Sequence, residues 1–175
     1  IGYIDINCIV NKDANYPLEF TSRFGYPTIQ IQLEGIISKT GEWLSRLAQG
    51  ENFTIKVKPG FQIGVVIFTP PALSEGDDAD SVEMYRNLAI NFKVKKALHG
   101  VHIGDIKQDN KGLWRIAGVS GWNLVITGSG ETVDKARSIA YQRVSNIQIP
   151  NMFYRSDIGE NWRTISDQLR TWGYT

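Results

Sequence analysis

A chain of 175 residues has room for one good hydrophobic core or two small ones. With 42% hydrophobic and 21% charged residues it lies in the ordinary globular range, which excludes a disordered segment. A formal net charge of +1 supplies no field strong enough to gather nucleic acid or an anionic membrane, so neither is expected as a partner. The single cysteine, Cys8, excludes a disulfide framework and argues against a zinc site. Its apolar neighbours mark it as a buried core position. No apolar run approaches the roughly 20 residues that cross a bilayer, and no signal peptide opens the chain, so the expected location is cytoplasmic. The first residue is Ile1 rather than Met and already stands at the edge of a strand pattern, which reads as a start partway through a longer protein.

In chain order, alternation from Tyr3 to Val10 predicts a strand, with Ile4, Ile6, Cys8 and Val10 on one face and Tyr3, Asp5, Asn7 and Ile9 on the other. Turn formers from Asn11 to Asn15 close a hairpin, and Tyr16 to Thr21 returns. In the return strand Glu19 and Thr21 share one face, while Leu18 and Phe20 share the other, with Leu18 packing inside so that Glu19 can point into a cleft. Pro27, with its fixed φ, opens a short helix from Thr28 to about Leu33. A second helix runs from a Thr40 cap to Gly50, with Trp43, Leu44, Leu47 and Ala48 as its apolar face.

Composition shifts at Lys58-Pro59-Gly60, the expected domain boundary. Beyond it, Ile63 to Phe68 is a compact buried strand, and Glu75 to Asp80 an acidic loop without the ligand order of a calcium site. Strands are predicted at Val101 to Lys107, Leu113 to Val119 and Leu124 to Thr127, with turns at Asp109-Asn110-Lys111-Gly112 and Ser120-Gly121-Trp122-Asn123. Thr132 caps a helix whose apolar stripe is Val133, Ala136, Ile139, Ala140, Tyr141 and Val144. A last helix, about Asn161 to Trp172, carries Trp162, Ile165, Leu169 and Trp172 on one side. That stripe calls for a contact with the body of the protein or a partner. The class is α+β.

Three motifs carry a resemblance. Leu18-Glu19-Phe20-Thr21-Ser22-Arg23-Phe24-Gly25-Tyr26-Pro27-Thr28-Ile29-Gln30 is similar to the segment L-E-F-N-x-R-F-G-D-P-E-x-Q of the phosphoribosylamine–glycine ligases, which are ATP-grasp enzymes. His102-Ile103-Gly104-Asp105 resembles their H-A-G-T. Gly130-Glu131-Thr132, Ala136, Ala140-Tyr141 and Tyr154-Arg155-Ser156-Asp157-Ile158-Gly159 resemble their G-x-T helix and closing Y-R-x-D-I-G. Order and separation fit over Gly2 to Gly159, with Phe61 to Lys96 the weakest stretch.

The resemblance implies that residues 1–58 end an ATP-grasp core, 59–159 form the β-rich C-terminal domain of the ligases, and 160–175 are a helical tail extension. A preceding N-terminal portion of the same protein would hold the phosphoribosylamine platform and the lid over ATP. The implied chemistry belongs to purine biosynthesis: ATP phosphorylates a glycine-like acid, and an amine attacks the acyl phosphate. ATP and Mg²⁺ or Mn²⁺ would serve the full-length parent, with neither held tightly by these residues alone. The isolated chain is expected to be inactive.

The resemblance puts Glu19 at a metal-carboxylate position, a donor suited to a hard cation. Thr21 stands where the ligases have a ligating Asn, a poorer oxygen donor. Asn7, twelve residues before Glu19, lies at the spacing where other ATP-grasp enzymes place a first carboxylate, and with Asp5 it could supply oxygen from the neighbouring strand. Arg23 matches a catalytic and substrate-binding Arg whose fork suits phosphate or carboxylate, with a structural ion pair as the alternative. Gly25 and Pro27 keep the substrate loop, whereas Tyr26 and Thr28 replace its acids.

Gly128-Ser129-Gly130 reads as a turn feeding the capped helix in preference to an anion nest. His99 and His102 read as structural or surface residues, and Lys93, Lys95 and Lys96 as a solvated face. Tyr154 to Asp157 is expected to clasp the β-rich domain to the ATP-grasp core. Two other functional readings stay open: a non-catalytic structural or regulatory descendant, and an ATP-grasp ligase of different substrate.

Overall fold

The computed structural model describes residues 2–72, 79–94, 98–118 and 120–174. The chain opens with a two-stranded antiparallel hairpin, β1 (Asp5–Val10) and β2 (Asn15–Thr21). Its turn is closed by the Asn11 carboxamide, which accepts from the backbone N–H groups of Asp13 and Ala14. The register shifts between Asn7 and Cys8, leaving Leu18 as the extra residue of a bulge. No second layer covers the hairpin's apolar side among the described residues, and Ile4, Ile6, Ile9, Leu18 and Phe20 are 49% to 69% exposed. This corrects two expectations: Cys8 is exposed rather than in the core, and Leu18 does not pack inside.

Pro27 precedes α1 (Thr28–Gly35), as its φ predicts. The helix α2 (Thr40–Gln49) is entered through Lys39, not through a Thr40 cap, and ends at Gly50 in the left-handed region with φ of 71°. Of its predicted apolar face Trp43 is buried, whereas Leu44 remains 37% exposed.

The core is a three-stranded antiparallel sheet in the order β3 (Phe61–Phe68), β8 (Trp122–Gly130), β5 (Val101–Ile103). Pairing of β3 with β8 runs from Phe61↔Gly130 to Phe68↔Trp122. Ile63, Val65 and Ile67 share a face with Leu124, Ile126 and Gly128. Gln62, Gly64 and Val66 share the opposite face with Val125, Thr127 and Ser129. The first face carries α4 (Val133–Val144), whose Ala136, Ala140 and Val144 complete the buried cluster with Ile147 and Ile149. The second carries α1, with Ile31 seated where a side chain at Gly64 would overlap it. A strand covered on both faces is buried throughout, and residues 123–128 of β8 are all buried. The strand is thus longer than predicted, and Trp122 and Asn123 lie within it rather than in a turn.

Thr132 caps α4 as expected, its hydroxyl accepting from Lys135 N at 3.1 Å. Gly128 and Gly130 are the reason α4 lies so close. A Cβ at Gly128 would overlap the Ala136 carbonyl and lie 2.5 Å from Ala140 N, and one at Gly130 would lie 2.6 Å from Ala136 N. These glycines close-pack strand on helix.

The predicted strand Val101 to Lys107 divides at Gly104, whose N–H reaches back to Asn123 O. The rest forms β6 (Ile106–Gln108), paired with β7 (Trp114–Ile116). Asp109 organises their turn, accepting from Lys111 N and Leu113 N and pairing with Arg115 at 2.7 Å. Two short strands, β4 (Asn91–Phe92) and β9 (Ile147–Gln148), pair with each other. Asp80, read as loop, lies in α3 (Ala79–Tyr85); residues 75–78 of that predicted loop, and Lys95 and Lys96, lie outside the described residues. The helix α5 (Trp162–Thr171) docks through Trp162, whose ring meets Phe61 edge-on at 5.6 Å, while Ile165 stays 46% exposed. The molecule is α+β, and no helix among its described residues is long and apolar enough to cross a membrane.

Candidate functional site

The pairing Asp5↔Thr21 and Asn7↔Glu19 sets these four residues on one face of the hairpin, because directly opposed residues project to the same side. The Asn7 amide donates to Glu19 Oε1 at 2.9 Å, so the predicted neighbour of the metal carboxylate touches it. Asp5 leans toward the loop that follows: a Cβ at the buried Gly25 would overlap the Asp5 carboxylate. That loop ends in a cis Tyr26–Pro27 bond and is tied to α1 by Ile29 N donating to Gly25 O at 2.9 Å. Two carboxylates and a carboxamide are the hard oxygen donors that Mg²⁺ takes, and in donor chemistry Asp5, Asn7 and Glu19 fit such an ion. The Thr21 hydroxyl, on the same face, is buried and has no hydrogen-bond partner among the described residues. Histidine, cysteine and acidic side chains alone make no group of three that could hold a metal among the described residues.

Arg23 is exposed and donates to the carbonyl of Phe24 at 3.3 Å, and it forms no ion pair among the described residues. With Tyr3, Phe24 and the α2 residues Leu44, Leu47 and Ala48 it lines a cavity of about 370 Å³. Arg23 and Glu19 are joined by no contact. Tyr26 lines a different hollow of about 550 Å³ with Gly104, Asp105, Ser120 and Trp122, and its ring meets Trp122 edge-on at 5.6 Å. Burial pushes the Tyr26 phenol above its ordinary range. Asp105, in the His-Ile-Gly-Asp motif, accepts from the N–H groups of Ser120 and Gly121 and so fixes that hollow's rim.

The closing motif is held to α4 by hydrogen bonds from and to Arg137 and Tyr141. The Tyr141 hydroxyl donates to Arg155 O at 2.7 Å and accepts from Ile158 N, while Arg137 donates to Ile158 O and Ser156 O. Arg155 grips Asp157 through two parallel bonds of 3.0 and 2.7 Å. The hydrogen bond and charge of Arg155 hold the Asp157 carboxyl below its usual range.

The sequence reading missed a second polar cluster on the α1 face of the sheet. Glu34, its side chain 3% exposed, accepts from the Thr127 hydroxyl at 2.8 Å and from Arg143 Nη1 at 3.2 Å, and pairs with Lys58 at 3.5 Å. His102 Nε2 lies 3.0 Å from the Thr127 hydroxyl, and His99 Nδ1 lies 2.6 Å from Arg143 Nη2. Arg143 also donates to Thr127 O at 2.5 Å. Burial works to raise the Glu34 carboxyl, but the Thr127 bond and the charges of Arg143 and Lys58 outweigh it and leave it lowered. Glu34 and Arg143 are 109 residues apart, and no local pattern could have joined them. The one available signal was Glu34 itself, an acid on a short helix otherwise rich in apolar and amide side chains.

No family model matches the chain. It is similar to the phosphoribosylamine–glycine ligases of Listeria monocytogenes (26% identity over 159 residues, 90% of this chain and 36% of the relative) and Streptococcus pneumoniae (28% over 160 residues, 91% and 36%). The chloroplastic phosphoribosylamine–glycine ligase of Arabidopsis thaliana is 25% identical over 172 residues, 94% of this chain and 30% of the relative. The chain therefore spans about a third of the length of the curated relatives it matches. The crystal structure of the phosphoribosylamine–glycine ligase of Thermotoga maritima superposes with a TM-score of 0.67 at 17% identity, over 88% of this chain and 36% of that one, a likeness of fold. Along nine-tenths of its length the chain is similar in sequence to the C-terminal part of phosphoribosylamine–glycine ligases, and its fold is like that of one of them.

Proposed function

We propose that the chain is part of an ATP-dependent carboxylate–amine ligase of the phosphoribosylamine–glycine ligase type, working in purine biosynthesis in the cytoplasm. The observation that carries this reading is the hairpin face on which Asn7 and Glu19 touch and Asp5 adjoins Gly25, in a chain similar to those ligases over 90% of its length. Residues 1–58 would supply the end of the ATP-grasp core, 59–159 the β-rich domain, and 160–175 a helical extension. The remainder of the nucleotide cleft would come from sequence outside these residues.

Glu19, with Asn7 and Asp5, would hold Mg²⁺, which neutralises phosphate charge in such reactions. Glu19 presents a carboxylate whose orientation is fixed by the Asn7 amide. Arg23, exposed and free of any acid partner among the described residues, keeps its guanidinium available for a phosphate or a substrate carboxylate. Gly25 lets the Asp5 carboxylate approach the loop backbone, and Pro27 leads it into α1.

The test is magnesium-dependent ATP binding by a full-length protein containing this chain, measured by titration calorimetry. Wild type is expected to bind and Glu19→Ala to lose at least tenfold in affinity; equal binding by the variant sinks the assignment. These 175 residues alone are expected to show no glycine-dependent ATP hydrolysis. One observation favours the second reading, a descendant that keeps the fold without the activity: the Thr21 hydroxyl is buried without a partner where the ligases have Asn. Absence of magnesium-dependent ATP binding in the wild-type full-length protein would select it.

A further inference from the structure

We propose that Glu34, Thr127, Arg143, Lys58, His99 and His102 form a proton-operated latch, which clamps α1 to the central sheet and α4 at neutral pH and releases it as His102 takes up a proton. The latch is a property of the fold and stands or falls independently of ATP-dependent ligation.

A carboxylate taken out of water needs partners for its lone pairs, and Glu34 has them only while three distant parts of the chain converge. Thr127 lies on β8, Arg143 near the end of α4 and Lys58 after α2. The close approach also depends on Gly100, where φ is +72° and any Cβ would overlap Arg143 Nη1.

Proton accounting fixes the state of the cluster. A guanidinium can only donate, so His99 Nδ1 must accept from Arg143 and carries no proton. The single hydroxyl proton of Thr127 goes to Glu34, so His102 Nε2 donates to the Thr127 oxygen. The assembled cluster therefore holds one negative charge, Glu34, against two positive, Lys58 and Arg143. A proton on His99 would set two donors face to face across 2.6 Å. A proton on His102 would add another cation to a site that already has an excess of them.

The ionisable groups that act on His102 are Glu34 from α1, Arg143 from α4 and His99 from the segment before β5, with Lys58 reaching it through Glu34. Burial holds the His102 imidazole below its ordinary range, the charge of Arg143 adds to this, and Glu34 opposes them. Stability owed to neutral His102 is then complete above the unfolded value of about 6.5 and drains as pH falls below it. Glu34, held below 4.5, loses its contribution only at much lower pH, so a loss that sets in below about 6.5 reads His102 and not Glu34. Release would carry the site loop with it, because the first-turn bonds of α1 end on Gly25 O and Pro27 O.

The test is amide hydrogen exchange followed by NMR on this chain at pH 7.5 and 5.5, corrected for intrinsic rates. The α1 amides are expected to lose at least about threefold more protection than the amides of the β3–β8 ladder. A double variant, His99→Gln with His102→Gln, keeps an acceptor and a donor but takes no proton, and should show equal α1 protection at both pH values. Loss in wild type no greater than that of the ladder overturns the latch, as does a wild-type loss in the double variant. Should the double variant not fold, the single variant His102→Gln decides: α1 protection relative to the ladder should be equal at both pH values, and a loss like that of wild type overturns the proposal.

Discussion

At the scale of single residues, the largest energies sit where a polar atom is buried. Thr127→Val removes a donor from a carboxylate that water cannot reach, and is expected to cost about 1–3 kcal/mol in urea unfolding at pH 7.5. Arg143→Met leaves Glu34 with the Thr127 hydrogen bond and, of its two cations, only the more distant Lys58, and should cost about 3 kcal/mol or more. Thr21 gives the opposite sign. Its hydroxyl is buried with no partner, so the isosteric Thr21→Val should leave the thermal midpoint unchanged or raise it, by about 1 kcal/mol in stability. A marked loss of stability in that variant would mean that the hydroxyl is bonded after all. Arg155 and Asp157, though held by two good hydrogen bonds, are solvent-exposed and are expected to contribute little to stability.

Among the elements, the contact of α4 with β8 decides most. Ordinary overpacking displaces side chains and costs about 1–3 kcal/mol. Gly128→Ala must displace helix backbone instead, and is expected to exceed that range or to prevent folding. Thr132→Ala loses one cap bond and should cost about 1 kcal/mol, a difference readable in the same unfolding series. The helix α1 has weaker local support: no side-chain cap, no acid in its first turn and no base in its last. Its place on the sheet rests on the Gly64–Ile31 approach and on Glu34, which is why a change in the charge of that one cluster can move a whole element.

For the whole molecule, the hairpin is the exposed part. Ile6, Leu18 and Phe20 face water, and Phe20 is 69% exposed. Such a patch favours self-association, so Phe20→Ser should reduce it in sedimentation at high concentration while changing stability by less than about 0.5 kcal/mol. An equal sedimentation profile would show that the face is inert. The sequence by itself determined the α+β class, the hairpin, the α1 start at Pro27, the α4 cap at Thr132 and the motifs that relate the chain to phosphoribosylamine–glycine ligase. These are short-range features, written in periodicity, turn chemistry and consecutive residues. It also brought Asn7 to Glu19, because strand pairing follows from alternation and a turn. Only the tertiary structure decided that Cys8 and Leu18 lie outside, that β8 is the central strand covered on both faces, and that Gly128 and Gly130 serve helix packing. Only it gathered Glu34, Thr127 and Arg143. Burial and charge balance depend on which elements meet, and residues 93 and 109 positions apart leave no local trace of that meeting.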